Sequence, residues 1–141
     1  MVVVGTIAGL AWNGLSGRGI AISENVFIEA GDELIESAEA KLELDRGTLF
    51  LDARPRPFYE MEHIPGSLPL PEDEFDAAFA DLEPRLRAEL SVIVYCSGYG
   101  CEASHIVARQ LQERGVAARI LHEGWPAWLE AGYPTEQGAA P

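Results

Sequence analysis

At 141 residues and 48% apolar composition, the chain is expected to form one domain with a real core, not a disordered segment. Its formal net charge of −13, offset by no basic cluster, argues against nucleic acid and anionic membrane surfaces as partners and opposes small anionic substrates at long range. Two cysteines are too few for a disulfide scaffold, and with the scattered His63, His105 and His122 they make no closed ligand set, so neither a metal nor an organic cofactor is implied.

Residues 1–29 read as a lead-in. Val2–Trp12 is an apolar run too short for a bilayer, which takes roughly twenty residues, and it lacks the basic residues that open a signal peptide. Two readings stand: an extra element packed on the core, or the end of a membrane anchor with Trp12 and Arg18 at the membrane edge. The compartment follows that choice, cytoplasmic in the first case and membrane-tethered outside the cytoplasm in the second. Asn13–Glu24, rich in glycine and serine, reads as a linker. One folded domain is expected over residues 30–135, with a loose tail at 136–141.

The spacing of Leu34, Ile35, Ala38 and Leu42 predicts a helix from Asp32, its N-cap, to Leu44. Thr48–Asp52 reads as a buried parallel strand. Pro55 and Pro57 open a turn, Phe58–Glu62 is a short helix, His63–Gly66 a turn and Leu68–Leu70 a short strand. Glu72–Leu90 reads as helical, interrupted or kinked at Pro84. Ser91–Tyr95 is the next strand. A glycine-containing loop follows it, then a helix marked by Ile106, Val107 and Leu111 that Gly115 caps. Ala118–Leu121 is the last strand and Trp125–Ala131 the last helix. Strands alternating with helices predict an α/β fold, a mostly parallel sheet with helices on both faces. Cys96 then falls at the carboxyl end of a central strand, where open α/β sheets place their ligands.

Chemistry concentrates in the loop Cys96-Ser97-Gly98-Tyr99-Gly100-Cys101. A free thiol with a pKa near 8.5 is only about 3% ionised at pH 7. Bringing it to about 7 takes roughly 2 kcal/mol of selective stabilisation of the anion. A helix N-terminus offers unpaired amides and a partial positive charge, and Gly98 and Gly100 let successive N–H groups turn inward. The expected result is an amide cradle over Ser97 to Cys101, with the Cys96 sulfur at its base as a thiolate or carrying an anionic sulfur atom. The other reading of Cys96 is a buried structural cysteine. Cys101 also has two readings. It is a resolving thiol able to form a reversible disulfide with Cys96, or a small apolar residue packed under the helix.

Four stretches resemble the rhodanese family of sulfurtransferases: Phe50-Leu51-Asp52-Ala53-Arg54; Tyr59-Glu60 with His63-Ile64-Pro65-Gly66-Ser67; Tyr95-Cys96 with its loop; and Leu121–Pro134. The resemblance spans about Ala30 to Pro134 and implies a rhodanese-like three-layer fold. It implies that Cys96 attacks a sulfane sulfur donor and carries a persulfide cradled by Ser97, Gly98, Tyr99, Gly100 and Cys101. A thiol or cyanide acceptor then takes the sulfur, with ping-pong kinetics. Asp52, Arg54 and Glu60 are expected to hold the scaffold through charge-assisted hydrogen bonds, and His63 to stabilise its turn.

The chain also departs from the family pattern. No residue from Ser97 to Cys101 is basic; Tyr99 stands where glycine is common, Cys101 where arginine is common, and Glu62 and Glu123 where glycine is usual. Glu102 suits the helix dipole but opposes a bound anion. The expected donor is therefore a low-charge or protein-bound persulfide, or a polysulfide, in place of thiosulfate. Rival readings are a thiol redox enzyme or sensor using a Cys96–Cys101 disulfide, and a non-catalytic interaction module. Phosphatase chemistry needs a longer loop and an arginine, and this loop has neither.

Overall fold

The computed structural model describes residues 32–141. The expectations for Val2–Trp12 and Asn13–Glu24 lie outside the described residues. In chain order the elements are β1 (Leu34–Ile35), α1 (Ser37–Asp45), β2 (Leu49–Asp52), α2 (Arg56–Met61), β3 (Leu68–Pro69), a 3-10 turn (Glu72–Glu74), α3 (Phe75–Leu86), β4 (Val92–Tyr95), α4 (Glu102–Glu113), β5 (Ala118–Leu121) and α5 (Gly124–Glu130). The strands pair in parallel in the order β1-β5-β4-β2-β3, which puts β4 at the centre.

The apolar runs of β2 and β4 are buried at every position, as a parallel sheet covered on both faces requires. Successive side chains point to opposite faces, so each run feeds two cores. Leu49, Leu51, Val92, Val94 and Ile120 pack with Phe75, Phe79 and Leu86 from α3 and with Val107 and Leu111 from α4. Phe50, Ile93, Tyr95 and Leu121 pack on the other side with Ala40 of α1 and Trp128 of α5. The result is the three-layer α/β arrangement expected from the alternation of strands and helices.

Three local expectations change. The helix expected from Asp32 begins at Ser37, because Leu34 and Ile35 pair with Ile120 and Leu121 as an edge strand. Ala38 and Leu42, which suggested the helical face, are exposed, and Ala40 with Ser37 forms the buried one. The helical stretch expected to reach Leu90 ends at Leu86, two residues beyond Pro84, and its first turn is the separate 3-10 segment. The tail expected to be loose from residue 136 is tied down: Glu136 exchanges backbone hydrogen bonds with His63, both at 2.9 Å, and Gly138 N–H donates to the Glu60 carbonyl. These partners lie far back in the chain, so no local pattern announces them.

Candidate active site

Cys96 follows the last residue of the central strand directly, and its backbone is held from two sides. Before it, Tyr95 is fully buried and its hydroxyl accepts the Ile64 amide at 3.2 Å and lies 3.2 Å from Ser67 Oγ. Burial is the main cause that pushes the Tyr95 pKa strongly upward, so the hydroxyl stays neutral. Tyr59 of α2 donates to the Ser67 carbonyl at 2.8 Å. The His-Ile-Pro-Gly-Ser turn thus braces the strand that presents the cysteine. After it, the Cys96 carbonyl accepts the Trp125 N–H of α5 at 2.8 Å.

The loop curls through two glycines, Gly98 at φ 149° and Gly100 at φ 71°, values that residues with a Cβ rarely adopt. Cys101 N–H closes a turn onto the Gly98 carbonyl at 3.2 Å. Among the described residues, the amides of Ser97, Gly98, Tyr99 and Gly100 donate to no backbone carbonyl. An N–H without a backbone acceptor in a glycine-bent loop is the kind of donor that can turn toward an anion or water. Cys101 is the N-cap of α4, and Glu102 begins its first turn.

The two cysteines are joined. Their Cα atoms lie 6.2 Å apart, inside the range a disulfide spans, and the Sγ atoms are bonded. The structure therefore holds the oxidised loop, not the free thiolate expected at its base. Cys96 is buried, 3% exposed, with Sγ 4.0 Å from Ser97 Oγ; Cys101 is half-buried and Ser97 exposed.

An open pocket of about 270 Å³ adjoins the loop at Ser97, lined also by Arg54, Phe58, Met61, Glu62 and Trp125. Among the described residues Arg54 is its one cationic wall residue, and it is already engaged. Its Nε and Nη2 bind the Asp52 carboxylate at 3.0 and 2.6 Å, and Nη2 also donates to the Glu62 carbonyl at 2.8 Å. Burial lowers the Arg54 pKa, and the bonds to Asp52 more than reverse that, leaving it raised. The guanidinium stacks over Trp125, 4.5 Å from the ring centre. Trp125 thus forms a pocket wall, while Trp128 is core.

Of the other scaffold residues, His63 is buried, with Nδ1 donating to the Tyr59 carbonyl at 2.7 Å and Nε2 3.2 Å from Glu136 Oε1. Glu60 differs from expectation. Its side chain is exposed on α2, and it serves through its carbonyl, because the tail pairs with the backbone there. Tyr99 projects from the loop tip, 66% exposed, with its hydroxyl 3.4 Å from Glu123 Oε1. The Ser37 hydroxyl and amide both donate to Glu123 and hold its pKa below the usual carboxylate value, so a fixed negative charge flanks the loop.

Sequence reasoning missed Gly124. Its φ is +66°, and a Cβ there would sit 2.7 Å from the Gly98 backbone and 2.8 Å from the Cys96 carbonyl oxygen. Only a residue without a side chain lets α5 approach the loop this closely. The glycine was visible in Glu-Gly-Trp-Pro, but its partner, Gly98, lies outside any local window.

The rhodanese-like domain model matches residues 36–131. The chain is 27% identical, over 121 residues, to an HTH-type transcriptional regulator of Mycobacterium tuberculosis, covering 85% of this chain and 52% of that protein. It thus spans about half the length of that relative. A thiosulfate sulfurtransferase from Pseudomonas aeruginosa superposes with a TM-score of 0.61 at 28% identity, over 76% of this chain and 20% of that one. A rhodanese-related protein from Thermoplasma volcanium superposes with a TM-score of 0.63 at 22% identity, over 74% of this chain and 97% of that one.

Proposed function

The chain belongs to the rhodanese-like domain family, and from that premise we propose that it is a sulfurtransferase whose reduced Cys96 carries sulfane sulfur as a persulfide. The observation that carries this reading is the loop itself: a cysteine at the end of the central strand, followed by four amides with no backbone acceptor among the described residues. Such amides stabilise negative charge on a terminal sulfur without reorganising. In the first half-reaction the Cys96 thiolate attacks the outer sulfur of the donor and releases the donor thiol. In the second an acceptor thiolate takes that sulfur and restores Cys96.

The pocket supports a low-charge donor, a polysulfide or an organic or protein-bound persulfide. Arg54, the cation on its wall among the described residues, is already bound to Asp52; its other walls include Phe58, Met61 and Trp125, and Glu123 flanks the loop. Thiosulfate would enter against uncompensated negative charge.

Steady-state kinetics with a polysulfide donor and a thiol acceptor test the reading. Parallel double-reciprocal lines and no turnover by Cys96→Ser are expected; turnover that persists in Cys96→Ser would refute it. A second reading, a thiol redox device, is favoured by the Cys96–Cys101 bond. The two share one nucleophile.

A further inference from the structure

We propose that Cys101 is the resolving thiol of this loop: it expels the sulfur carried on Cys96 as hydrosulfide and closes the Cys96–Cys101 disulfide, so that the chain reduces sulfane sulfur to sulfide. The inference rests on Cys96 being the sulfur carrier and adds the fate of its cargo.

Three observations support it. The disulfide shows that the Cys101 sulfur reaches Cys96 Sγ within the folded loop. The reach is built in by Gly98 and Gly100 and by the turn from Cys101 N–H to the Gly98 carbonyl. α5 then clamps the curled backbone through Gly124 and the Trp125 N–H. Finally, in the disulfide form Cys96 is 3% exposed while Cys101 is half-buried, so Cys101 is the sulfur that covers Cys96 and the one an outside reductant reaches more readily.

The step balances without an added oxidant. The Cys96 thiolate takes the sulfane sulfur from the donor, which leaves as a thiolate. The Cys101 thiolate attacks Cys96 Sγ; the new Sγ–Sγ bond forms as the bond to the outer sulfur breaks. The outer sulfur keeps the electron pair and takes a proton from water, leaving as hydrosulfide. The sulfane sulfur is reduced by two electrons, and the two thiols supply them. A dithiol reductant then reopens the loop. Groups on one short segment meet at an effective concentration of roughly millimolar or more, so an external acceptor thiol takes the sulfur only when supplied above that level, and Cys101 resolves it otherwise.

The test is a single turnover. The full chain is reduced, freed of reductant and given one equivalent of an organic persulfide, which holds one sulfane sulfur and leaves as a thiolate, with sulfide measured beside the intact mass and beside a blank without protein. The wild type is expected to lose two hydrogens, keep no sulfur and release sulfide in equal amount to the chain. Cys101→Ser is expected to keep one added sulfur and release none from it. A wild type that keeps the sulfur as the variant does overturns resolution alone. A Cys101→Ser chain that gains no sulfur overturns the transfer reading together with this inference.

Discussion

A carboxylate shut off from water keeps its charge only beside a partner, and Asp52 has Arg54. Both side chains are buried, at 0% and 5% exposure, and two guanidinium nitrogens face the carboxylate. Asp52 also accepts the Arg54 amide at 2.9 Å, so it sets the backbone where β2 ends. Removing one member of such a pair leaves the other charge buried and uncompensated, a cost of about 3–5 kcal/mol. Asp52→Ala is therefore expected to lower the unfolding free energy by that much in chemical unfolding, and a change below about 1 kcal/mol would mean that Arg54 finds water. The pairing was legible as an Asp-x-Arg spacing. The stacking of Arg54 on Trp125, which turns the same guanidinium into a pocket wall, was not, since Trp125 joins from the far end of the chain.

The loop works as an element because α5 presses on it. Gly124→Ala would place a methyl within 2.8 Å of the Cys96 carbonyl and against Gly98. Overpacking of this kind costs about 1–3 kcal/mol, with added strain from the positive φ. Loss of sulfur loading by Gly124→Ala in a chain that still folds is the expected outcome. Full loading would show that the loop tolerates displacement. Local sequence carried the strand, cysteine, glycine loop and helix, because apolar run and turn chemistry are both short-range signals. It failed at β1, where Leu34 and Ile35 fit a helical period with Ala38 and Leu42. Ile120 N–H donating to the Glu33 carbonyl and His122 N–H to the Ile35 carbonyl make them strand instead. Pairing across the fold overrides a weak local pattern. The tail misled for the same reason, its bonds to His63 and Glu60 being non-local.

At the scale of the molecule, the net charge of −13 opposes the approach of small anions. Raising ionic strength from 0.01 M to 0.15 M shortens the screening length from about 30 Å to about 8 Å. Turnover of the dianion thiosulfate is expected to rise several-fold over that range, while an uncharged organic polysulfide stays flat. A fall with salt would point instead to a local cationic docking site. The parallel order of the sheet, with β4 at its centre, followed from the alternation of strands and helices, and it is that order that sets Cys96 at the strand end, next to Ser97 on the pocket wall. What the alternation left open was the chemical state of the two thiols, a matter of loop curvature within the folded chain. The most direct test is peptide mapping of the reduced Cys101→Ser chain after exposure to polysulfide. One sulfur atom added to the peptide that carries Cys96 is the predicted result; that peptide recovered unmodified would contradict the account.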